Sequence, residues 1–238
     1  MFRFGVVCGG SSLIAPQPLN NIIRVTIETM AAVFGGAQSI FTCAFDEAFQ
    51  IPTETSAEIA LRTQQILAYE SGIARSVDAL GGSYLVEHLT DRMEDEIAGV
   101  MHEIDAYGGV ERAIEDGWLQ MRIAERALER KLKVDRGETV IVGQNFFRRD
   151  DGETQVNETF RLDPNAAARV LEKYAQVRDT RDQDAVERTL TALRGAAARD
   201  TDNLMPYLVD CCHAYATVGE MVECLKAEWG EFQEPVRL

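Results

Sequence analysis

The sequence predicts an α/β chain in which two parallel βα units are followed by a mostly α-helical extension. Two short apolar runs, residues 2–8 (FRFGVVC) and 37–42 (AQSIFT), have the length and bounding turns of buried strands. Each is followed by a loop and then a stretch of helical periodicity, the order that joins parallel strands through helical crossovers. From Gly82 onward the pattern is helical almost throughout.

The elements follow in order. The first run ends in a Gly9-Gly10-Ser11-Ser12 turn, and a loop through Pro16 and Pro18 leads to Asn20, read as a helix cap. Residues 21–34 carry apolar groups at helical spacing, through Ile22, Ile23, Val25, Ile27, Met30 and Val33, and Gly35-Gly36 ends them. The second strand is followed by a loop at 46–53 and a helix at 55–71. Helices are expected at 83–107, 110–116 and 119–136, and a further strand-like run at 139–143. Residues 148–158 are polar, contain Asp150-Asp151-Gly152 and read as a loop at a domain edge, giving domains 1–150 and 151–238. In the extension, Asp163-Pro164 is read as the cap of a helix at 163–178, with further helices at 182–199 and 203–229.

Two βα units open a barrel or a doubly wound sheet but complete neither. An eight-stranded barrel takes about 250 residues and eight strands. Alone, each strand here keeps an unpaired edge, so the missing strands are expected from another chain or from sequence outside these 238 residues.

Composition narrows the function classes. A net charge of −15 opposes nucleic-acid binding. No stretch approaches the ~20 apolar residues of a membrane span, and the first residues lack a signal-peptide pattern. Five cysteines, an odd number without zinc spacing, suit a reduced cytoplasm. Cys211-Cys212-His213 makes a poor metal chelate, because sequence neighbours on a helix point apart.

Ligands of parallel α/β folds sit at the C-terminal ends of the strands. That rule selects residues 7–12 and 42–47. Gly9 and Gly10 let backbone approach a flat ligand, or simply make a tight turn. Gln38 and Ser39 could fix a polar substrate group, and Gln38 could equally satisfy a loop carbonyl. Asp46 and Glu47 are adjacent, so their side chains diverge and do not form an acid/base pair; one could cap the next segment and the other accept a ligand amide. Cys43 has no His in any local motif. His88 and His102 fall on helix faces, and Gly81-Gly82-Ser83 resembles either a phosphate-cradling turn or an ordinary helix start.

A longer match joins these residues. Asn20–Arg24 (NNIIR), Ala31–Gly36 (AAVFGG), Gln38-Ser39, Asp46-Glu47-Ala48, Pro52-Thr53-Glu54, Tyr69–Gly72 (YESG), Asp78–Tyr84 (DALGGSY), Glu115–Trp118 (EDGW) and Val142–Asn145 (VGQN) occur in one order and spacing. Over residues 2 to about 147 the chain resembles the large chain of the methylmalonyl-CoA mutase family, whose members also act on isobutyryl-CoA, ethylmalonyl-CoA and similar thioesters. The helical tail resembles the linker after that family's barrel.

The resemblance implies the C-terminal portion of a (β/α)8 TIM barrel, its last two βα units, with the CoA ester threading the barrel axis. It implies an isomerase that uses adenosylcobalamin (vitamin B12) held jointly with a separate cobalamin-binding domain. An adenosyl radical abstracts a substrate hydrogen, the carbon skeleton rearranges and the hydrogen returns. Implied partners are a chain carrying the N-terminal barrel strands, a cobalamin-binding subunit and an acyl-CoA substrate, in an oligomer. By position, Gly10, Glu47 and Gln50 look like cobalamin contacts with Cys43 beside them, and Gln38 and Ser39 look like substrate-side residues. No catalytic residue and no metal ligand is assigned in this chain, since none of His88, His102 and His213 fits the family's Asp-x-His-x-x-Gly cobalt motif.

The chain also departs from the pattern. The family's Gln-Thr-Ser-Gly is here Val7-Cys8-Gly9-Gly10, its preceding His is Gly5, and its His-Thr-Asn is Phe41-Thr42-Cys43. These changes point to a bulkier or less polar acyl group. They equally suit a non-catalytic structural subunit.

Overall fold

The computed structural model describes residues 3–149 and 159–235, and contacts divide these into two compact units, one running up to Arg161 and the other Leu162–Pro235. Most of the loop expected at 148–158 lies outside the described residues.

The first unit is mixed α/β. Strand β1 (Gly5–Val7) pairs in parallel with β2 (Ser39–Phe41), in the register Gly5↔Ser39, Val6↔Ile40 and Val7↔Phe41. Both strands are shorter than the apolar runs that contain them. Helix α1 (Asn20–Phe34) joins them, α2 (Glu54–Tyr69) follows β2, and α3 (Tyr84–Tyr107), α4 (Val110–Glu115) and α5 (Trp118–Asp135) complete the unit. Strand alternation puts Val6 and Ile40 toward the helices, and Ile40 packs on a core of Cys8, Leu13, Val25 and Cys43. Gly5, Val7, Ser39 and Phe41 face the other way.

Helix α1 buries Asn21, Val25 and Thr29, one face at fourfold spacing, while Ile23 and Ile27 stay exposed. The buried face is therefore mostly polar, unlike the apolar stripe the sequence suggests. Its polar atoms are paired: the Thr29 hydroxyl donates to the Val25 carbonyl at 2.6 Å. Asn20 is the first helical residue rather than the cap, which is Leu19. Gly36 closes the helix at φ +77°, a conformation other residues rarely adopt. Helix α2 is capped by Thr53, whose hydroxyl accepts from the Ser56 amide. Helix α3 buries none of its 24 residues and exposes Leu85, Leu89, Met93, Ile97 and Met101.

Residues 139–143 do not form the expected strand. The chain makes a turn with a single bridge between Val142 and Phe146. The Asn145 side chain takes over the hydrogen bonding a ladder would supply: it accepts from Ile141 N–H at 2.7 Å and donates to the carbonyls of Thr139 and Val134 at 2.7 and 2.9 Å.

The second unit is helical: α6 (Ala166–Thr180), α7 (Gln183–Ala197), α8 (Met205–His213) and α9 (Val218–Trp229). Its core joins Val186 and Leu193 of α7 to Cys211, Met221 and Cys224. The single helix expected at 203–229 is two. Tyr215 takes φ +61°, and Thr217 starts α9 with a capping box closed by Glu220. Asp163 does not cap α6 directly; Asn165 stands at that position, and Asp163 accepts from its amide at 2.9 Å and pairs with Arg169. Among the described residues, no helix is long and apolar enough to cross a membrane.

Candidate functional site

The C-terminal ends of β1 and β2 form a rim of two loops. After Val7 the ladder continues for one bond, from Cys8 N–H to the Phe41 carbonyl at 2.9 Å. The chain then turns through Gly9 into a 3₁₀ segment at Gly10–Ser12. Glu28 of α1 holds this turn: its carboxylate accepts from Gly9 N–H at 2.9 Å and from the Ser12 hydroxyl at 2.5 Å. Gly10 is exposed, and a Cβ built on it would meet nothing within 4 Å.

The second loop follows Phe41. The Glu47 carboxylate turns back to accept from Ala44 N–H at 2.5 Å and stays partly exposed. Asp46 goes the opposite way and is fully buried. It accepts from Gln50 Nε2 at 2.8 Å and from Thr53 N–H at 3.3 Å, so it anchors the loop to the start of α2. Its second oxygen, Oδ1, is buried without a hydrogen bond from the described residues. The two carboxylates diverge as adjacency requires. Gln50 binds Asp46 and accepts from Phe160 N–H at 3.3 Å.

Asn21 ties the two loops together from below. Its amide donates to the carbonyls of Ile14 and Phe45, both at 2.8 Å, and its oxygen accepts from Ile14 N–H and from Arg24. Arg24 reaches on to the Val142 carbonyl at 2.8 Å, bringing the turn at 139–146 to the same rim.

The sequence-selected residues fall into two groups. Gly10, Glu47 and Gln50 share the rim. Cys43 lies beneath it, buried, with its thiol donating to the Cys8 carbonyl at 3.0 Å, so it shapes the rim without presenting its sulfur. Gln38 and Ser39 lie at the opposite end of the strands. The Gln38 amide accepts from Phe4 N–H at 2.8 Å and donates to the Gly36 carbonyl at 2.6 Å. Its side chain thus satisfies loop backbone at both ends of the amide. The Gly81–Ser83 turn is similarly closed: Gly82 N–H donates to Glu87 at 2.8 Å, so the chain's own carboxylate fills the seat a phosphate would take. The roles of Glu28 and Asn21 went unseen in the sequence, because their partners lie in other loops; the Asp46 anchor is the local option the adjacent carboxylates had offered.

Burial first, then the nearby Glu47 carboxylate, push the Cys43 thiol up to about 11. It stays protonated at neutral pH and is no nucleophile. Cys8, Cys211 and Cys224 are also buried, whereas Cys212 is exposed. At pH 8, iodoacetamide is therefore expected to label Cys212 rapidly and the other four slowly, read by peptide mass spectrometry; fast labelling of Cys43 would contradict this arrangement. His88, His102 and His213 are exposed, and among the described residues no cluster of three or more His, Cys, Asp or Glu could hold a metal.

A family model described as methylmalonyl-CoA mutase matches residues 1–231. The chain is 39% identical over 232 residues to the 2-hydroxyisobutanoyl-CoA mutase large subunit of Aquincola tertiaricarbonis, covering 98% of this chain and 41% of that protein. It is 40% identical over 230 residues to mitochondrial methylmalonyl-CoA mutase of Homo sapiens, covering 96% of this chain and 30% of that one. Against methylmalonyl-CoA mutase of Rhizobium meliloti (strain 1021) the figures are 38% over 234 residues, 98% and 32%. The chain thus spans well under half the length of these relatives, and aligns with them along almost all of its own length. By this near-complete match, the chain belongs to the methylmalonyl-CoA mutase family.

Proposed function

We propose that this chain supplies the last two βα units of the (β/α)8 barrel of an adenosylcobalamin-dependent acyl-CoA mutase, an isomerase that rearranges the carbon skeleton of a CoA thioester. The observation that carries this reading is the rim: two parallel strands in register, in a member of this family, converge on the Gly9-Gly10 turn and the Glu47 loop at their C-terminal ends. The strands' unpaired edges, and the exposure of Val7 and Phe41, fit a sheet continued by strands outside these residues. Those strands and the cobalamin-binding domain are assigned to partner chains or further sequence.

The rim suits a corrin. Gly10 leaves open space for a flat macrocycle to lie on backbone, with Glu47 on the neighbouring loop to accept from a peripheral amide. When bound, adenosylcobalamin supplies the radical chemistry. This chain's residues hold the macrocycle's edge, orient the thioester and exclude water. The test assembles this chain with a polypeptide carrying the remaining strands and a cobalamin domain, then follows a panel of acyl-CoAs by mass spectrometry. Isomerised product, reduced in a Glu47→Ala variant, is expected; absence of turnover with every thioester would sink the catalytic reading.

One observation favours a second reading, a non-catalytic structural subunit: the polar atoms of Gln38 are spent on backbone and the Gln50 amide on Asp46. Equilibrium binding of adenosylcobalamin by the assembled protein separates the two readings. Retention that weakens in the Glu47→Ala variant excludes the structural subunit.

A further inference from the structure

We propose that Val7 and Phe41 form an apolar shelf inside the barrel that receives the acyl branch of a CoA thioester and selects against a second carboxylate on it. This inference rests on the functional reading above and names the substrate class it would accept. The two residues are register partners on neighbouring strands, so their side chains stand next to each other on one face of the sheet. That face is the one turned away from α1 and α2, and a barrel encloses that face. Val7 is 71% exposed and Phe41 60%, the two large apolar side chains that the strands present there.

The layers on either side are nearly empty. At the N-terminal end the layer is Gly5 with Ser39, and a Cβ built on Gly5 would meet Ser39 Oγ at 2.6 Å, so that layer holds little more than one hydroxyl. Toward the rim the next position on β1's path is Gly9, which has no side chain. Barrel interiors are ordinarily filled by successive layers of bulky branched residues. On these two strands, one bulky apolar pair instead stands between positions that carry almost no side chain, an apolar waist on this part of the wall. Layers two residues apart are separated by roughly 7 Å, which puts the waist one step below the rim where the Gly9-Gly10 turn lies.

No charged residue of these strands stands on this face. The guanidinium on the rim is committed elsewhere, Arg24 to Asn21 and Val142. A carboxylate on the substrate's branch would lose its hydration against Val7 and Phe41 and gain no cation from them. A methyl or larger alkyl branch would bury apolar surface there.

The test uses the assembled mutase with isobutyryl-CoA and methylmalonyl-CoA, which differ by a methyl against a carboxylate. Wild type is expected to favour isobutyryl-CoA by about 100-fold or more in kcat/KM. Val7→Gln, which adds donors at the waist, is expected to narrow that ratio roughly 10-fold, and the near-isosteric Val7→Thr to narrow it less. Calorimetric binding of both thioesters should follow the same order. Equal use of the two thioesters by wild type, or a ratio unchanged in both variants, overturns the shelf and leaves the mutase reading standing. Neither binding nor turnover of any thioester overturns both.

Discussion

Glu220→Gln is expected to destabilise the second unit by about 3 kcal/mol at neutral pH and to remove most of its stability change between pH 5 and 2. The pair it breaks joins the end of α6 to the start of α9. Arg181, its side chain 1% exposed, donates to both oxygens of Glu220 at 2.5 and 2.8 Å, and also to the Tyr215 carbonyl and Gln183. The Arg181 guanidinium first, against opposing burial and with help from Thr217, lowers the Glu220 carboxyl from 4.5 to about 2. A lowered carboxylate contributes stability that is complete above its unfolded value and drains as pH falls toward its folded one. The window is therefore pH 5 down to 2, and the fall from 4.5 to about 2 corresponds to about 3 kcal/mol. Gln keeps the shape but leaves a buried guanidinium without its counter-charge, which is why removing one partner costs more than the intact pair contributes. Trp229, whose indole donates to the Ala197 carbonyl at 3.0 Å, reports on this unit in a Trp118→Phe background. Urea midpoints within 0.5 kcal/mol of wild type, or an unaltered acid limb, would refute the assignment.

Asn21→Leu is expected to cost about 4 kcal/mol in the first unit and to loosen the rim. Leu fills nearly the same volume but strands the Ile14 amide and carbonyl, the Phe45 carbonyl and one arm of Arg24. Each buried group left unpaired costs about 1–3 kcal/mol. The Ile14 and Phe45 segments run into the loops bearing Gly10 and Glu47, so faster hydrogen exchange is expected at residues 10–14 and 44–47. A loss under 1 kcal/mol, with exchange unchanged, would show that the rim does not hang on this side chain.

The order of elements was legible because it depends on local pattern. Apolar runs, the Ser83 start and the Gly35-Gly36 stop are all written within a few residues of where they act. What failed depended on distant partners. Residues 139–143 have the composition of a strand, yet no neighbouring strand among the described residues offers a ladder and Asn145 bonds the backbone into a turn. The apolar stretch 203–229 hides a break that only the pairing of Thr217 with Glu220 and the turn at Tyr215 create. On α1, Asn21 and Thr29 displace Ile23 and Ile27 from the buried face because they can satisfy groups there that an isoleucine cannot. The rim positions Gly10 and Glu47 could be picked out from the family pattern. Of the groups that hold them, Asn21 lies within the matched NNIIR run but without a stated role, and Glu28 had no motif to announce it.

The Gln38 clasp pins the register of the strand pair. With its side chain on Phe4 N–H and Gly36, and its own N–H donating to the Phe4 carbonyl at 3.1 Å, it bolts the starts of two strands that lie 34 residues apart. A slip of β1 by one residue would turn Val7 toward the helices and Val6 away from them, out of step with Ile40 and Phe41. The clasp opposes that slip, since both side-chain bonds and the backbone bond would break with it. The clasp thus closes a 34-residue loop and locks the register of the pair at its open end.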